Sequence, residues 1–347
     1  MYFASDNAGP ALPQVAKAVM EANAGYAMPY GADAIMDRVR DQIREQFEAP
    51  DAAVYLVATG TAANVLALAT LADPWETIFC SPTAHIHEDE CNAPEFYSGA
   101  KLSLVGSEDK MTPAALRTAI EAEETRGVHG PQRGPVSVTQ VTERGAVYSL
   151  DELAGLTKVA RDFGLKTYLD GARFANALAA LGCSPAEMSW KSGFDAVSVG
   201  GTKNGCMGVE AVVFFDPSHA WEFELRRKRG AHLFSKHRFL SAQMAAYLED
   251  GAWLESAARA NAACARLTEG LRALPGVTFQ NRPEANIIFS SLPRAAHQRL
   301  HAAGAMYYVL DGDYTTGDAD ERLPARLVCD WSITDALVDR FLSLVAG

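Results

Sequence analysis

Short apolar runs alternate with longer amphipathic segments through the first two thirds of the chain. The apolar runs are rich in β-branched residues and predict buried strands over residues 53–57, 77–80, 136–141, 167–169, 196–199 and 209–215. The amphipathic segments between them predict helices, among them residues 61–71 and 150–163. Strands that alternate with helices are joined by right-handed crossovers, which give a mostly parallel sheet covered on both faces. We therefore predict an α/β fold in which ligands bind at the carboxyl ends of the strands.

The pattern changes in the last third of the chain. Residues 234–274 have a helical pattern that is broken near residue 250. Shorter strands are predicted after it, at residues 286–289 and 326–329. A single hydrophobic core stops growing at about this chain length, so a second domain is expected. We predict a large α/β domain over residues 1–240 and a smaller α+β domain over residues 241–347.

Composition and charge narrow the possible partners. The chain has 347 residues, of which 48% are hydrophobic, and a net charge of -12. Nucleic acids and anionic membranes select basic surfaces, so this acidic balance argues against both as partners. The sequence has no signal-peptide pattern and no apolar segment long enough to span a bilayer. Its six cysteines are scattered without a CxxC pair, so we expect a cytoplasmic protein with reduced thiols.

Two polar segments follow predicted strands. Gly60 and Thr61 open the helix after the first strand, where free backbone N–H groups suit a phosphate, although a plain capped turn gives the same pattern. Asp170 follows the strand at residues 167–169. Its carboxylate could hold a protonated ring nitrogen of a cofactor, or it could form a surface turn with Arg173. Neither segment alone decides between its two interpretations.

Lys203 supplies the third feature. It follows the strand at residues 196–199, and Gly200, Gly201 and Thr202 precede it directly. A lone lysine is usually solvated, but glycines let the backbone approach a cofactor, and a desolvated lysine becomes a nucleophile. A phosphate turn, then a strand-end aspartate, then a lysine is the order found in fold-type-I enzymes that use pyridoxal 5'-phosphate (PLP). We therefore predict a PLP enzyme in which Lys203 bonds to the cofactor.

With these elements the sequence resembles the threonine aldolases, within the β-eliminating lyase branch of the fold-type-I enzymes. The resemblance covers nearly the whole chain. The motifs that carry it are Ser5-Asp6, Tyr30-Gly31, Gly60-Thr61, Ala84-His85, Asp170-Gly171-Ala172-Arg173, Thr202-Lys203 and Arg326-Leu327-Val328. The pair Ala84-His85, followed by Glu90, is more discriminating than the aspartate and lysine motifs. The resemblance thus adds His85 and Glu90 to Lys203 and Asp170 as expected catalytic residues.

The resemblance also implies a fold and a set of contacts. The fold would be an aspartate-aminotransferase-like large domain with a mostly parallel sheet, followed by a smaller α+β domain. The residues expected to bind PLP are Lys203, Gly60, Thr61, His85, Asp170, Arg173, Thr202 and Lys236. The residues expected to bind the amino acid substrate are Ser5, Tyr30, Arg173, Arg326 and Glu143. Tyr30 and Lys236 would come from a neighbouring subunit, so the resemblance implies a homo-oligomer, with a homotetramer as its expected form.

Glu143 marks a departure from the family pattern. Many members carry a histidine at this position, and that histidine is a candidate for handling the substrate hydroxyl or the aldehyde. The glutamate therefore leaves the preferred substrate open. His85 and His87, with carboxylates nearby, also resemble part of a metal site, but no further ligands complete a coordination shell. We predict no metal.

The activity that the resemblance implies is retro-aldol cleavage of L-β-hydroxy-α-amino acids to glycine and an aldehyde. L-Threonine, L-allo-threonine and phenylserine-like compounds are the candidate substrates. Two alternatives remain open at this stage. The chain could be another PLP-dependent β-eliminating lyase, or a non-catalytic binding protein of the same fold.

Overall fold

The computed structural model describes residues 1–347. Its helices are α1 (Pro13–Ala22), α2 (Ala34–Gln46), α3 (Gly60–Leu71), α4 (His85–Glu88), α5 (Ala93–Ser98), α6 (Pro113–Ala122), α7 (Leu150–Asp162), α8 (Phe174–Leu181), α9 (Pro185–Met188), α10 (Ala220–Arg229), α11 (Arg238–Leu248), α12 (Ala252–Arg272), α13 (Arg294–Ala302) and α14 (Asp335–Ala346). Its strands are β1 (Ala53–Val57), β2 (Glu76–Cys80), β3 (Lys101–Leu104), β4 (Gln132–Thr139), β5 (Thr167–Asp170), β6 (Ala196–Gly200), β7 (Glu210–Phe214), β8 (Thr278–Phe279), β9 (Ile287–Pro293), β10 (Tyr308–Val309) and β11 (Arg322–Val328). None of these helices combines the length and the apolar character needed to cross a membrane.

Seven strands form the large sheet, in the order β1-β7-β6-β5-β4-β2-β3. Neighbouring strands are parallel except beside β7, which runs antiparallel to both β1 and β6. Only residues 201–209 separate β6 from β7. A connection this short brings the chain back antiparallel, because a parallel partner needs a crossover of about a dozen residues or more. The predicted mostly parallel sheet is confirmed, and β7 is its exception.

Helix α3 lies at the centre of the large domain. Every residue from Ala62 to Leu71 is buried, because the helix packs between the sheet and helices α5 and α10. The Thr59 hydroxyl caps its first turn by accepting a hydrogen bond from the Ala62 N–H at 3.1 Å. Both β1 and β6 run antiparallel to β7 and thus parallel to each other. The helix therefore begins at the sheet edge where β5 and β6 end.

Four antiparallel strands form the second sheet, in the order β10-β11-β9-β8. This confirms the predicted small α+β unit in the last third of the chain. Its core also contains Phe3, which stacks edge-on against Phe341. The Phe3 N–H donates to the Met306 carbonyl at 2.7 Å, and the Phe3 carbonyl accepts from the Val328 N–H at 2.8 Å. The amino-terminal segment thus packs with the small sheet.

Helix α12 connects the two cores. Its first turns carry Trp253 and Ala257, which pack in the large-domain core. Its later turns carry Leu267 and Leu271, which pack in the small-domain core. The preceding helix α11 packs with the large-domain core. The domain division at residue 240 stays a prediction.

Candidate active site

A cavity of about 420 Å³ opens at the sheet edge where β5 and β6 end. This volume falls within the usual range for small-molecule sites. Six predicted site residues line it together: Gly60, Thr61, His85, Asp170, Thr202 and Lys203. The other predicted site residues lie outside this lining: Ser5, Tyr30, Glu90, Glu143, Arg173, Lys236 and Arg326. The cavity thus brings together residues from four separate stretches of the chain.

Asp170 ends strand β5 and is 2% exposed. One carboxylate oxygen accepts a hydrogen bond from the Asn64 amide at 2.9 Å, and the other accepts from the Ala172 N–H at 3.0 Å. A carboxylate oxygen can accept more than one hydrogen bond, so Asp170 can still receive an N–H from a ligand. The alternative of a surface turn with Arg173 is wrong, because both side chains are buried and Arg173 pairs with Asp6 instead.

His85 begins the short helix α4 on another wall of the cavity. Its Nδ1 lies 2.7 Å from a Glu90 carboxylate oxygen, and the Glu90 side chain is fully buried. The hydrogen bond to Glu90 raises the pKa of His85, while burial raises the pKa of Glu90. The same Glu90 oxygen accepts from the Asn64 amide at 2.8 Å. Glu90 therefore acts behind His85 and does not face the cavity itself.

Lys203 lies on a short turn after β6, and glycines bring this turn close to the end of β5. A Cβ on Gly171 would lie 2.0 Å from the Ser198 carbonyl oxygen, and one on Gly200 would lie 2.2 Å from the Ala172 carbonyl oxygen. These contacts are too close for any side chain. The sequence suggested that such glycines let the backbone approach a cofactor. That role stays a prediction; Gly171 and Gly200 also let two backbone segments approach each other, which places Asp170 and Lys203 at one cavity.

Glu210, the first residue of β7, also lines the cavity and was missed in the sequence. Its carboxylate accepts hydrogen bonds from the Gly201 N–H at 2.9 Å and from the Thr202 hydroxyl at 2.5 Å. Burial raises the pKa of Glu210 to about 7. A charged residue inside the apolar run of β7 was the available signal, since a buried carboxylate needs specific partners. Glu210 holds the turn that carries Lys203.

Arg173 forms a buried ion pair with Asp6. Its Nε donates to one carboxylate oxygen at 2.7 Å and its Nη2 to the other at 3.0 Å, and both side chains are almost fully buried. The Asn286 amide donates to the same carboxylate at 3.0 Å. Asp6 therefore occupies the fork that was expected to face the substrate. Both N–H groups of Nη1 and the second N–H of Nη2 remain for another acceptor.

Arg326 lies in the middle of strand β11 and is partly buried. Burial lowers the pKa of Arg326, and the positive charge of Arg173 acts in the same direction. Glu143 lies in the loop after β4, and its negative charge acts on His85, Arg173 and Arg326. The Ser5 hydroxyl accepts a hydrogen bond from the Asn7 N–H at 3.1 Å. Of the two arginines expected to bind the substrate carboxylate, Arg326 is thus the one whose guanidinium forms no ion pair within the chain.

Tyr30 and Lys236 lie together on the outer surface. The Tyr30 side chain is 46% exposed, and its N–H donates to the Ser235 carbonyl at 3.1 Å. Lys236, the next residue after Ser235, is exposed. The chain therefore does not bring these two residues into its own cavity.

The cavity fits PLP on the chemistry of its walls. The amino end of α3 offers unpaired backbone N–H groups to a phosphate, and a Cβ on Gly60 would meet open space. Asp170 offers a buried anion to a protonated ring nitrogen, and Lys203 offers an amine. The Thr202 hydroxyl donates to Glu210 and accepts from the Val209 N–H, and its contact with PLP stays a prediction. The remaining groups still provide a phosphate site, a ring partner and a nucleophile.

Comparisons with known proteins show what the whole chain is similar to. The family model described as beta-eliminating lyase matches residues 2–294. A low specificity L-threonine aldolase from Pseudomonas sp. (strain NCIMB 10558) is 42% identical over 97% of this chain and 94% of its own length. The protein of the same name from Pseudomonas aeruginosa is 43% identical, over 95% of this chain and 92% of its own. The structure of Leishmania major threonine aldolase superposes with a TM-score of 0.92 at 25% identity, covering 99% of this chain and 98% of that one.

Proposed function

Since this chain belongs to the beta-eliminating lyase family, we propose that it cleaves L-β-hydroxy-α-amino acids to glycine and an aldehyde, with PLP as cofactor. The observation that carries the proposal is the meeting of Lys203, Asp170 and His85 at one cavity beside the start of α3. When bound, PLP supplies an electron sink next to the substrate's α-carbon. Lys203 would bond to it, and Asp170 would keep its ring nitrogen protonated.

The substrate carboxylate would be held mainly by Arg326. Arg173 has two of its five donors committed to Asp6, so it contributes its remaining N–H groups on Nη1 and Nη2 and a fixed positive charge. Ser5 stands beside this pair in sequence and would add a hydroxyl contact. Holding the carboxylate fixes the angle between the bond to be broken and the cofactor ring, and such alignment accounts for much of the expected acceleration.

His85 would accept the proton of the substrate hydroxyl. Its Nδ1 is committed to Glu90, which leaves Nε2 to exchange a proton. The Glu90 carboxylate stabilises the protonated imidazole, and general-base catalysis of this kind typically contributes about 10²–10⁴-fold. Glu143 adds a negative charge near His85 and Arg326, and we propose that it influences which side chain the substrate carries.

The test is to supply the PLP-loaded protein with L-threonine, L-allo-threonine and phenylserine and to follow aldehyde and glycine together. Equal amounts of both products are expected, and the order of rates assigns the substrate subgroup. The Lys203→Ala variant should lose both turnover and the cofactor's absorption band. Ammonia release without aldehyde would replace this proposal with β-elimination. A protein that binds PLP but releases neither product would favour the non-catalytic alternative.

We also propose a cytoplasmic homotetramer whose sites are shared between subunits. Support comes from Tyr30 and Lys236, which lie on the surface outside the chain's own cavity. Mixing inactive Lys203→Ala subunits with impaired Lys236→Ala subunits should restore activity, because a mixed pair contains one site with both lysines. Random pairing gives about one quarter of the sites. Mixtures that gain nothing over the separate variants, or a protein that is monomeric in light scattering, would contradict shared sites.

A further inference from the structure

We propose that Asn64 is a positioning residue that couples His85 to Asp170, because its amide nitrogen donates both to Asp170 and to Glu90, the partner of His85. The inference rests on the proposed roles of His85 and Asp170. Asn64 itself lies on helix α3, is 3% exposed and is held within a helix that is buried along its length. Its side chain borders the cavity beside both residues.

The geometry of the Asn64 amide leaves it no freedom. Its nitrogen donates to Glu90 at 2.8 Å and to Asp170 at 2.9 Å, which uses both of its hydrogens. Its oxygen accepts from the Tyr168 hydroxyl at 2.8 Å. Tyr168 is fully buried, and burial raises the pKa of its hydroxyl well above the ordinary value, so it stays a donor. Reversing the amide would turn its oxygen toward two carboxylates and its nitrogen toward a hydroxyl donor, so this orientation is fixed.

Glu90 depends on Asn64 for its charge. Both of its hydrogen bonds, from His85 and Asn64, reach the same oxygen, and its second oxygen is buried without any partner. Burial favours the neutral acid, and the two donors oppose that preference. Without the Asn64 amide, Glu90 would take up a proton more readily. It would then stabilise the protonated form of His85 less.

The groups facing His85 make this change measurable. Besides Glu90, the charges that act on its imidazole are Asp170 and Glu143, and all three raise its pKa. Removing the Asn64 amide takes a hydrogen bond from both Glu90 and Asp170 and leaves the charge of Glu143 unaffected. The titration midpoint of His85 should therefore fall, although Asn64 does not touch His85.

The experiment follows the His85 imidazole by NMR in the full-length PLP-loaded protein labelled at histidine Cε1. A His85→Gln sample identifies its signal among the eight histidines. Asn64→Ala should shift the His85 midpoint to lower pH. Asn64→Asp supplies either a donor, when protonated, or a further negative charge, so the midpoint should stay at the wild-type pH or rise. Tyr168→Phe removes the donor that holds the amide oxygen, so it should loosen the amide and give a smaller downward shift.

Asn176→Ala is the matched control. Asn176 is also 3% exposed and helical, and its amide donates to Asn261 at 3.0 Å, away from the cavity. It should lower the melting temperature without moving the His85 midpoint.

The proposal is overturned if Asn64→Ala leaves the midpoint in place, or if the alanine and aspartate variants lower it equally. Should Asn64→Ala fail to fold, Tyr168→Phe decides: a downward shift supports the coupling and no shift refutes it. The His85 midpoint is measured without turnover. A failure of this inference can therefore be distinguished from a failure of the proposed activity.

Discussion

Replacing Asp6 by asparagine should destabilise the fold strongly, because it leaves the Arg173 guanidinium buried without its counter-charge. The two side chains are 1% and 3% exposed and meet through two hydrogen bonds. The pair also links distant parts of the chain, since Asp6 belongs to the amino-terminal segment and receives a third hydrogen bond from Asn286, at the start of the small-domain strand β9. The change keeps the shape of the side chain, removes its charge and replaces one acceptor oxygen by an NH2 donor.

The size of the effect follows from burial. Removing one partner of a buried ion pair typically costs about 3–5 kcal/mol, because the remaining charge is desolvated without compensation. At about 1.4 kcal/mol for each factor of ten, that cost raises the unfolding equilibrium constant roughly 10²- to 10³-fold or more. Removing both charges should cost less than the sum of the single changes. We expect a coupling free energy of at least about 2 kcal/mol between Asp6→Asn and Arg173→Met.

The structure also determines whether the stabilisation by Asp6 rises or falls with pH. Burial opposes ionisation of Asp6, but the Arg173 guanidinium outweighs it and holds the pKa of Asp6 below the ordinary 3.8. The unfolded chain therefore binds this proton at a higher pH than the folded chain does. The stabilisation from Asp6 is fully present above pH 3.8 and is lost as the pH falls through the lowered pKa. The gap between wild type and Asp6→Asn should narrow over that range.

The assay is urea denaturation followed by circular dichroism, at one protein concentration and saturating PLP for all four proteins of the cycle. Equal slopes with a lower midpoint for Asp6→Asn would indicate a change in stability alone. A loss of less than about 1 kcal/mol in the free energy of unfolding is typical of an exposed ion pair and would refute the predicted cost. Strict additivity of the two changes would likewise refute the interaction drawn from the geometry.

Three further changes test other parts of the structure. Gly171→Ala would place a methyl group 2.0 Å from the Ser198 carbonyl oxygen, so we expect a loss of about 3 kcal/mol in the same urea assay. Arg326→Lys keeps the charge but loses the fork, so KM for L-threonine should rise about tenfold and kcat should fall as well, because the held carboxylate aligns the bond to be broken; an unchanged KM and kcat would exclude Arg326 from carboxylate binding. Burial raises the pKa of Glu210 to about 7 from 4.5, so wild-type stability should fall as the pH rises through that window, by roughly 3 kcal/mol. Glu210→Gln should abolish this fall, and a persistent slope in urea midpoints would assign it to another group.

Six of the seven strands of the large sheet could be predicted because they are short, apolar and regularly separated by helices; β3 was missed because polar and apolar residues alternate in it and none is fully buried. The direction of β7 could not be predicted from its apolar run. An apolar run buried on both faces looks the same whether it runs parallel or antiparallel to its neighbours. The short connection at residues 201–209 was the available signal. The packing of Phe3 in the small-domain core was also beyond the sequence, since no local pattern specifies a partner so far along the chain.

The cavity residues could be predicted where they follow strands. Asp170 and Lys203 stand directly after apolar runs, and parallel strands bring such positions to one edge. Asn64 and Glu210 lie inside elements, where a polar residue looks like an ordinary interruption. Their roles depend on which buried groups they meet, and that depends on packing between β5, β7 and α3. A strongly polar side chain in a segment rich in apolar residues was the signal for each.

The position of Phe3 determines that some of the protein's contacts can form only late during synthesis of the chain. The ribosome synthesises residues near Phe3 long before those near Phe341, yet the two rings pack against each other. Strand β11, which pairs with the Phe3 backbone through Val328, also emerges late. The large sheet can assemble while the chain is still growing, but the amino-terminal segment must wait, exposed, until synthesis is nearly over. During that interval its apolar side chain is available to chaperones, and the Asp6–Arg173 pair cannot be completed in its final surroundings.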